Sequence, residues 1–184
     1  MDGSGTINHV QTCVLTCAPY MVRPMISKEY KILQILDAKA MASSVYENND
    51  DDFGPQFAID RKVVTGNTLF FHSATEDYPW LQIKLAGPQE VALLKIVNRH
   101  DCCGESLKNV EVRAGLNPVP IGFKGLLTAN EKVGFFPGPG VTGETYNITF
   151  EARMTALYVT LQATDRSAIL HVNEATVTDK SKSL

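Results

Sequence analysis

The run Trp80–Leu85 sets Leu81, Ile83 and Leu85 against Gln82 and Lys84, the period-two alternation of a strand with one buried face. VALLKIV (91–97) is nearly all apolar, which predicts a strand buried on both faces. NVEVRAG (109–115) places Val110 and Val112 opposite Glu111 and Arg113, and LYVTL (157–161) alternates again. ILHVNEATV (169–177) alternates until Asn173–Glu174, where the phase slips as at a β-bulge. Clusters of Gly, Pro, Asn and Asp at 48–55, 86–90, 115–120 and 135–144 predict turns between these runs. Short strands joined by such loops predict an all-β sandwich or barrel. SKEYKILQILDAKAMA (27–42) fits a helix by composition and equally a strand leading into the domain. Residues 1–30 read as an N-terminal extension, 31–179 as the domain and 180–184 as a tail.

The 184 residues are enough for one domain with a real core. A formal net charge of −3 supplies no basic footprint, which argues against nucleic-acid binding. No apolar run approaches the roughly 20 residues that cross a bilayer. The segment 1–27 lacks the charged and apolar regions of a secretory signal, and the chain reads as a mature or trimmed form.

The four cysteines fall into two close pairs, Cys13 with Cys17 and Cys102 with Cys103. This spacing is not that of a zinc site. The even count and tight pairing favour two local disulfides and an oxidising compartment over reduced thiols. From the Cys102–Cys103 dipeptide alone, a rigid ring with an exposed sulfur face and a pair of unlinked thiols both stay open.

RHDCCGESLKNVEVRAG (99–115) resembles the signature of the F-type lectins, or fucolectins, in which a histidine is followed at a set interval by R-x-D-C-C-x-x-R/K and a strand. Positions 73–98 lie between His72 and Arg99, which is the family's interval, and Asp101, Cys102 and Cys103 fall in place. AMASSVY, AIDRK (58–62), HSATEDYPWLQIKL (72–85) and LHVNEATV (170–177) extend the match over most of residues 32–178. The resemblance implies a discoidin-like jelly-roll β-sandwich of about eight strands, with a sugar site on loops at one end.

In such a site fixed donors stand beside a nonpolar surface. Arg99 supplies a planar fork of donors, and Asp101 clamps it. His72 offers a donor or acceptor for an axial hydroxyl. The Cys102–Cys103 ring lies under the sugar's apolar edge, and TLFF (68–71) walls off a methyl group. Ser106 stands where the family places a second basic residue. Losing that charge-assisted hydrogen bond costs about 1.5–3 kcal/mol, or about ten- to a hundredfold in affinity. Fucose binding is then weakened, altered or lost, with Lys108, on the same side of an extended segment, able to compensate.

The resemblance also implies a structural calcium ion. Asp60 and Glu174 stand at the two carboxylate positions, and the carbonyls of Phe57, Lys62, Leu69 and Asn173 complete an oxygen shell of the kind calcium accepts. Leu69 lacks the family's hydroxyl, and Arg61 is a repulsive neighbour for a cation. A disulfide common in the family has Phe70 and Asn173 at its two positions here, so both cysteines are missing together.

The acidic run NNDDD (48–52) reads as a solvated loop. His72, Asp101 and Ser106 would suit a hydrolase triad, yet no G-x-S-x-G elbow accompanies them, and the protein is expected not to be an enzyme. NIT (147–149) is an N-glycosylation sequon. The expectation is a secreted, calcium-stabilised lectin for fucosylated or related cell-surface glycans, in immune recognition or gamete adhesion. Multivalency by homo-oligomerisation would offset modest affinity for one sugar. The alternative is a discoidin-like adhesion or scaffold module with a decayed sugar site, binding protein or phospholipid.

Overall fold

Leu81, Ile83 and Leu85 pack into one core with Val110, Val112 and Ala114 from one side and Leu94, Ile96, Ala175 and Val177 from the other. The strands that deliver them come from a computed structural model that describes residues 30–32 and 38–180. They are β1 (Tyr30–Ile32), β2 (Lys39–Ala42), β3 (Phe71–His72), β4 (Trp80–Val97), β5 (Val110–Gly115), β6 (Glu131–Phe136), β7 (Thr145–Ala163), β8 (His171–Val172) and β9 (Glu174–Lys180). All pairings between them are antiparallel. The result is the discoidin-like β-sandwich that the resemblance implied.

Two long strands build both layers. The first part of β4 pairs with β2 and with the end of β7, which in turn pairs with β5. The second part of β4 pairs with β9 and with the start of β7. The turn expected at 86–90 is therefore a bend inside β4, where the register with β7 shifts between Lys84 and Gln89. Pro88 sits in that gap, where a missing N–H costs no ladder bond. In 91–97 the burial is one-sided rather than complete, because Lys95 is exposed and Leu93 half-buried.

One open choice is decided and two further expectations change. Residues 30–32 and 39–42 are strands, and 33–37 lie outside the described residues. The acidic run is a one-turn helix, α1 (Asp50–Phe53), with Asn49 Oδ1 accepting the Asp52 N–H at 3.2 Å. At Asn173 the chain does not bulge within one strand but changes partners, from β3 to β4. Cys13, Cys17 and residues 181–184 lie outside the described residues.

The outer face of β4 and β7 is also covered. Gln82, Thr160 and Gln162 are buried there beneath the 116–130 loop. Gln82 Oε1 accepts the Val119 N–H at 3.0 Å, and Gln162 Oε1 accepts the Leu127 N–H at 2.8 Å. Trp80, Val119 and Leu127 form a second apolar cluster with Met41 and Phe123. Polar side chains are tolerated at this depth because the two glutamines satisfy loop backbone that would otherwise be buried unpaired, while Thr160 Oγ1 accepts from Gln82 Nε2 at 2.8 Å.

Candidate functional site

Strands β3 and β8 pair with His72 opposite His171, and residues opposite one another project from the same face. Their rings meet at 4.1 Å between centroids. His72 Nδ1 lies 2.6 Å from the Ser73 carbonyl; a carbonyl only accepts, so Nδ1 carries the proton and Nε2 is left as an acceptor. Burial holds the His72 imidazole below its ordinary pKa, with the Arg99 charge acting in the same direction. His171 is pushed down further, to about 3, by burial first, with the adjacent His72 and Arg99 acting in the same direction. Among the described residues neither of its ring nitrogens has a hydrogen-bond partner.

Arg99 enters from the end of β4. Asn98, fully buried, donates to the Gly104 and Val141 carbonyls at 2.9 and 3.0 Å and accepts the Arg99 N–H at 2.9 Å. The cysteine loop is thus stapled at its base. The Arg99 guanidinium donates from Nε and Nη2 to the two Asp101 oxygens at 2.6 and 2.8 Å, and its carbon stands 4.9 Å from the centre of the Phe70 ring. This fork is held on an edge and on a face. Hydrogen bonding from Arg99 keeps the Asp101 carboxyl below its usual range. Nη1 is free of this clamp.

Cys102 and Cys103 are joined by a disulfide, and Cys103, in the left-handed region at φ 59°, starts the 3-10 turn Gly104–Ser106. Cys103 is exposed and Cys102 half-buried. Ser106 and Lys108 do not share an extended segment, since Ser106 closes that turn. They do line one hollow of about 200 Å³, with Glu105 on the same wall and Ser167–Ile169 opposite.

TLFF does not form a wall as expected. Phe70 and Phe71 are both completely buried and Leu69 is exposed; Phe70 acts from below, as the platform for Arg99. Tyr46 and Phe53, which pattern reading did not single out, pack on His72 at 4.4 and 5.6 Å between ring centres. Tyr46 lies in the AMASSVY segment, but its contact with His72 depends on how the chain between them folds back. The role of His171 was hidden in the same way.

The proposed metal ligands also converge in part. Glu174 is buried and accepts the Arg61 N–H at 3.0 Å. Burial, with the Asp60 charge adding to it, pushes its carboxyl up to about 7. Asp60 accepts the Lys62 N–H at 2.8 Å. Asn173 holds the same loop through both ends of its amide, at 3.0 and 2.7 Å from Val64 N and O. Arg61 and Leu69, at φ 66° and 64°, turn the backbone sharply at either end of 61–69. Among the described residues no group of three or more His, Cys, Asp or Glu side chains could hold a metal. An ion here would take two carboxylates and backbone carbonyls, a hard oxygen set that fits calcium.

The sandwich, with a histidine on the short strand β3 gathered beside an arginine and a disulfide on the loop after β4, defines a discoidin-like domain. The profile of the F5/8 type C domain matches residues 39–175, and the chain belongs to that family. Among solved structures, the F-lectin (fucolectin) from the serum of striped bass, Morone saxatilis, is similar at 27% identity and a TM-score of 0.70, covering 82% of this chain and 49% of that one. This chain thus spans about half the length of the bass protein. A fucose binding module of Streptococcus pneumoniae shares the fold at 21% identity and a TM-score of 0.60, over 78% of this chain and 91% of the module. The family 32 carbohydrate-binding module of NanJ from Clostridium perfringens, in complex with galactose, shares it at 16% and 0.64, over 82% and 100%. A search of curated proteins finds no match.

Proposed function

We propose that this protein is a non-catalytic lectin that binds a terminal fucose or related sugar at the Arg99–His72 site. One observation carries the reading: a guanidinium already fixed by Asp101 and Phe70 stands with a neutral imidazole beside an exposed disulfide ring. Donors fixed in advance lose little entropy when a ligand arrives. Arg99 donates to ring and hydroxyl oxygens, His72 Nε2 accepts from a hydroxyl, and the sulfur ring meets the sugar's apolar edge. Ser106 brings no charge, which favours a weaker contact or a sugar larger than fucose reaching the hollow beside Lys108. The similarity to fucose- and galactose-binding structures supports the class of ligand.

Calcium belongs to the same proposal as a structural ion. Asp60 and Glu174 would hold it together with carbonyls of Phe57, Lys62, Leu69 and Asn173; it would supply positive charge to a carboxylate pair that burial otherwise disfavours. The protein acts outside the cell, on cell-surface glycans, where immune recognition and gamete adhesion are the settings it suits.

A glycan array with and without a calcium chelator is the test, using the wild type, Arg99→Ala and His72→Ala. Fucosylated or related hits that vanish in both variants support the reading. A folded wild type without a single glycan hit refutes it, and binding to phospholipid vesicles in that case would identify the discoidin-like alternative.

A further inference from the structure

On the side of the sandwich formed by β6 and the first residues of β7, the two strands face one another without a ladder between them. Among the described residues β6 pairs with β5 alone, and residues 145–149 pair with β4 alone. Between them lies a cleft of about 520 Å³. Its floor is Val133 and Ile148, both buried. The strands come so close at Gly134 that a Cβ there would collide with the Ile148 side chain. One end is closed by the Phe136 and Tyr146 rings, 4.4 Å apart. On the rim Phe135 is 45% exposed, and it is the one phenylalanine among the exposed large hydrophobics of the described residues.

Asn147 and Thr149 stand on that rim. Alternation along β7 sends Ile148 and Phe150 inward and leaves Asn147 and Thr149 exposed. Among the described hydrogen bonds none uses the Asn147 amide, whereas Asn98, Asn109, Asn117, Asn130 and Asn173 are each tied by theirs. The sequon N-I-T thus places a free acceptor amide, its hydroxyl partner and a part-exposed aromatic ring around one cleft, the Lys132 ammonium standing 4.9 Å over one face of that ring and leaving the other to a ligand.

We propose that Asn147 carries an N-linked glycan whose first N-acetylglucosamine packs against Phe135 in the cleft between β6 and β7. The Asn147 amide nitrogen bonds to the anomeric carbon of a lipid-pyrophosphate-linked oligosaccharide. The bond from that carbon to the pyrophosphate oxygen breaks, and the amide proton is lost as the lipid pyrophosphate departs. The apolar face of the sugar then covers the ring, and the chain beyond it screens two open strand edges, which otherwise offer templates for pairing with another molecule. This site is independent of the Arg99–His72 reading, so either can fail without the other.

The test is secretion of the full chain from a eukaryotic cell line, with glycopeptide mass spectrometry. Asn147 is expected to be occupied in the wild type and bare in Thr149→Ala and in Asn147→Gln. Trimming to a single N-acetylglucosamine should leave the melting midpoint unchanged, and complete removal should lower it by about 2–4 °C. In Phe135→Ala that last difference should vanish. An unmodified Asn147 in the secreted wild type overturns the proposal, as does a midpoint that ignores the first sugar when Phe135 is present.

Discussion

Replacing His171 with phenylalanine should make the protein resist acid. The native ring protonates only near pH 3, against an ordinary value of 6.5. Its folded pKa is depressed, and the protonated form is the charged one. As pH falls below 6.5 the unfolded chain takes up a proton that the folded chain refuses, so stability is lost until the native ring itself titrates. Each pH unit removes about 1.4 kcal/mol. Between pH 6.5 and about 4.5 the loss is about 2.7 kcal/mol. His72, also lowered, adds loss of the same sign. Glu174, raised to about 7, works the other way: its cost fades as pH falls from 7 toward 4.5. The comparison of wild type with His171→Phe cancels Glu174 and also His72, whose shift comes from burial and from Arg99 rather than from His171, and so isolates the buried His171 ring. Urea unfolding, followed by the fluorescence of the single tryptophan, at about pH 7.5 and about pH 4.5 gives the four free energies. The variant should lose about 2–3 kcal/mol less than the wild type on acidification. Equal losses would mean that His171 is hydrated or paired in solution, and that the buried imidazole pair under the site is wrong.

Three other changes probe the remaining parts. Ser106→Arg should tighten binding of the best glycan found about ten- to a hundredfold, measured by calorimetry, and no gain would place residue 106 away from the bound sugar. Gly104→Ala would drive a Cβ into the backbone of Thr142; a destabilisation of about 1–3 kcal/mol in urea unfolding is expected, with loss of glycan binding as the cysteine loop shifts. Gln162→Ala strips the Leu127 N–H and the Tyr78 and Gly125 carbonyls of a shared partner. It should cost about 1–3 kcal/mol and redden Trp80 emission as the 116–130 loop loosens, while an unchanged spectrum would show that the loop holds without it.

Much of the fold was legible because alternation reports which face of a strand is buried. It read β5 and the two ends of the long strands well. It misread Gly87–Pro88 as a turn, since a bend within a strand and a turn between strands call for the same residues. It also assigned Gln82 to solvent, because the loop that covers it lies far downstream. At the site, Arg99, Asp101, Cys102 and Cys103 are chain neighbours, and their mutual geometry is local. The contact of His72 with His171 is a matter of cross-strand register between β3 and β8, which no short window contains. The partial burial of Arg99 over Phe70 belongs to the same class.

Because β4 and β7 each run unbroken from one layer into the other, the sandwich has no seam along which its halves could part. Heat or denaturant should therefore melt it as a single cooperative unit. Damage at the far end of either strand will be felt as loosened anchorage at the rim where Arg99 emerges.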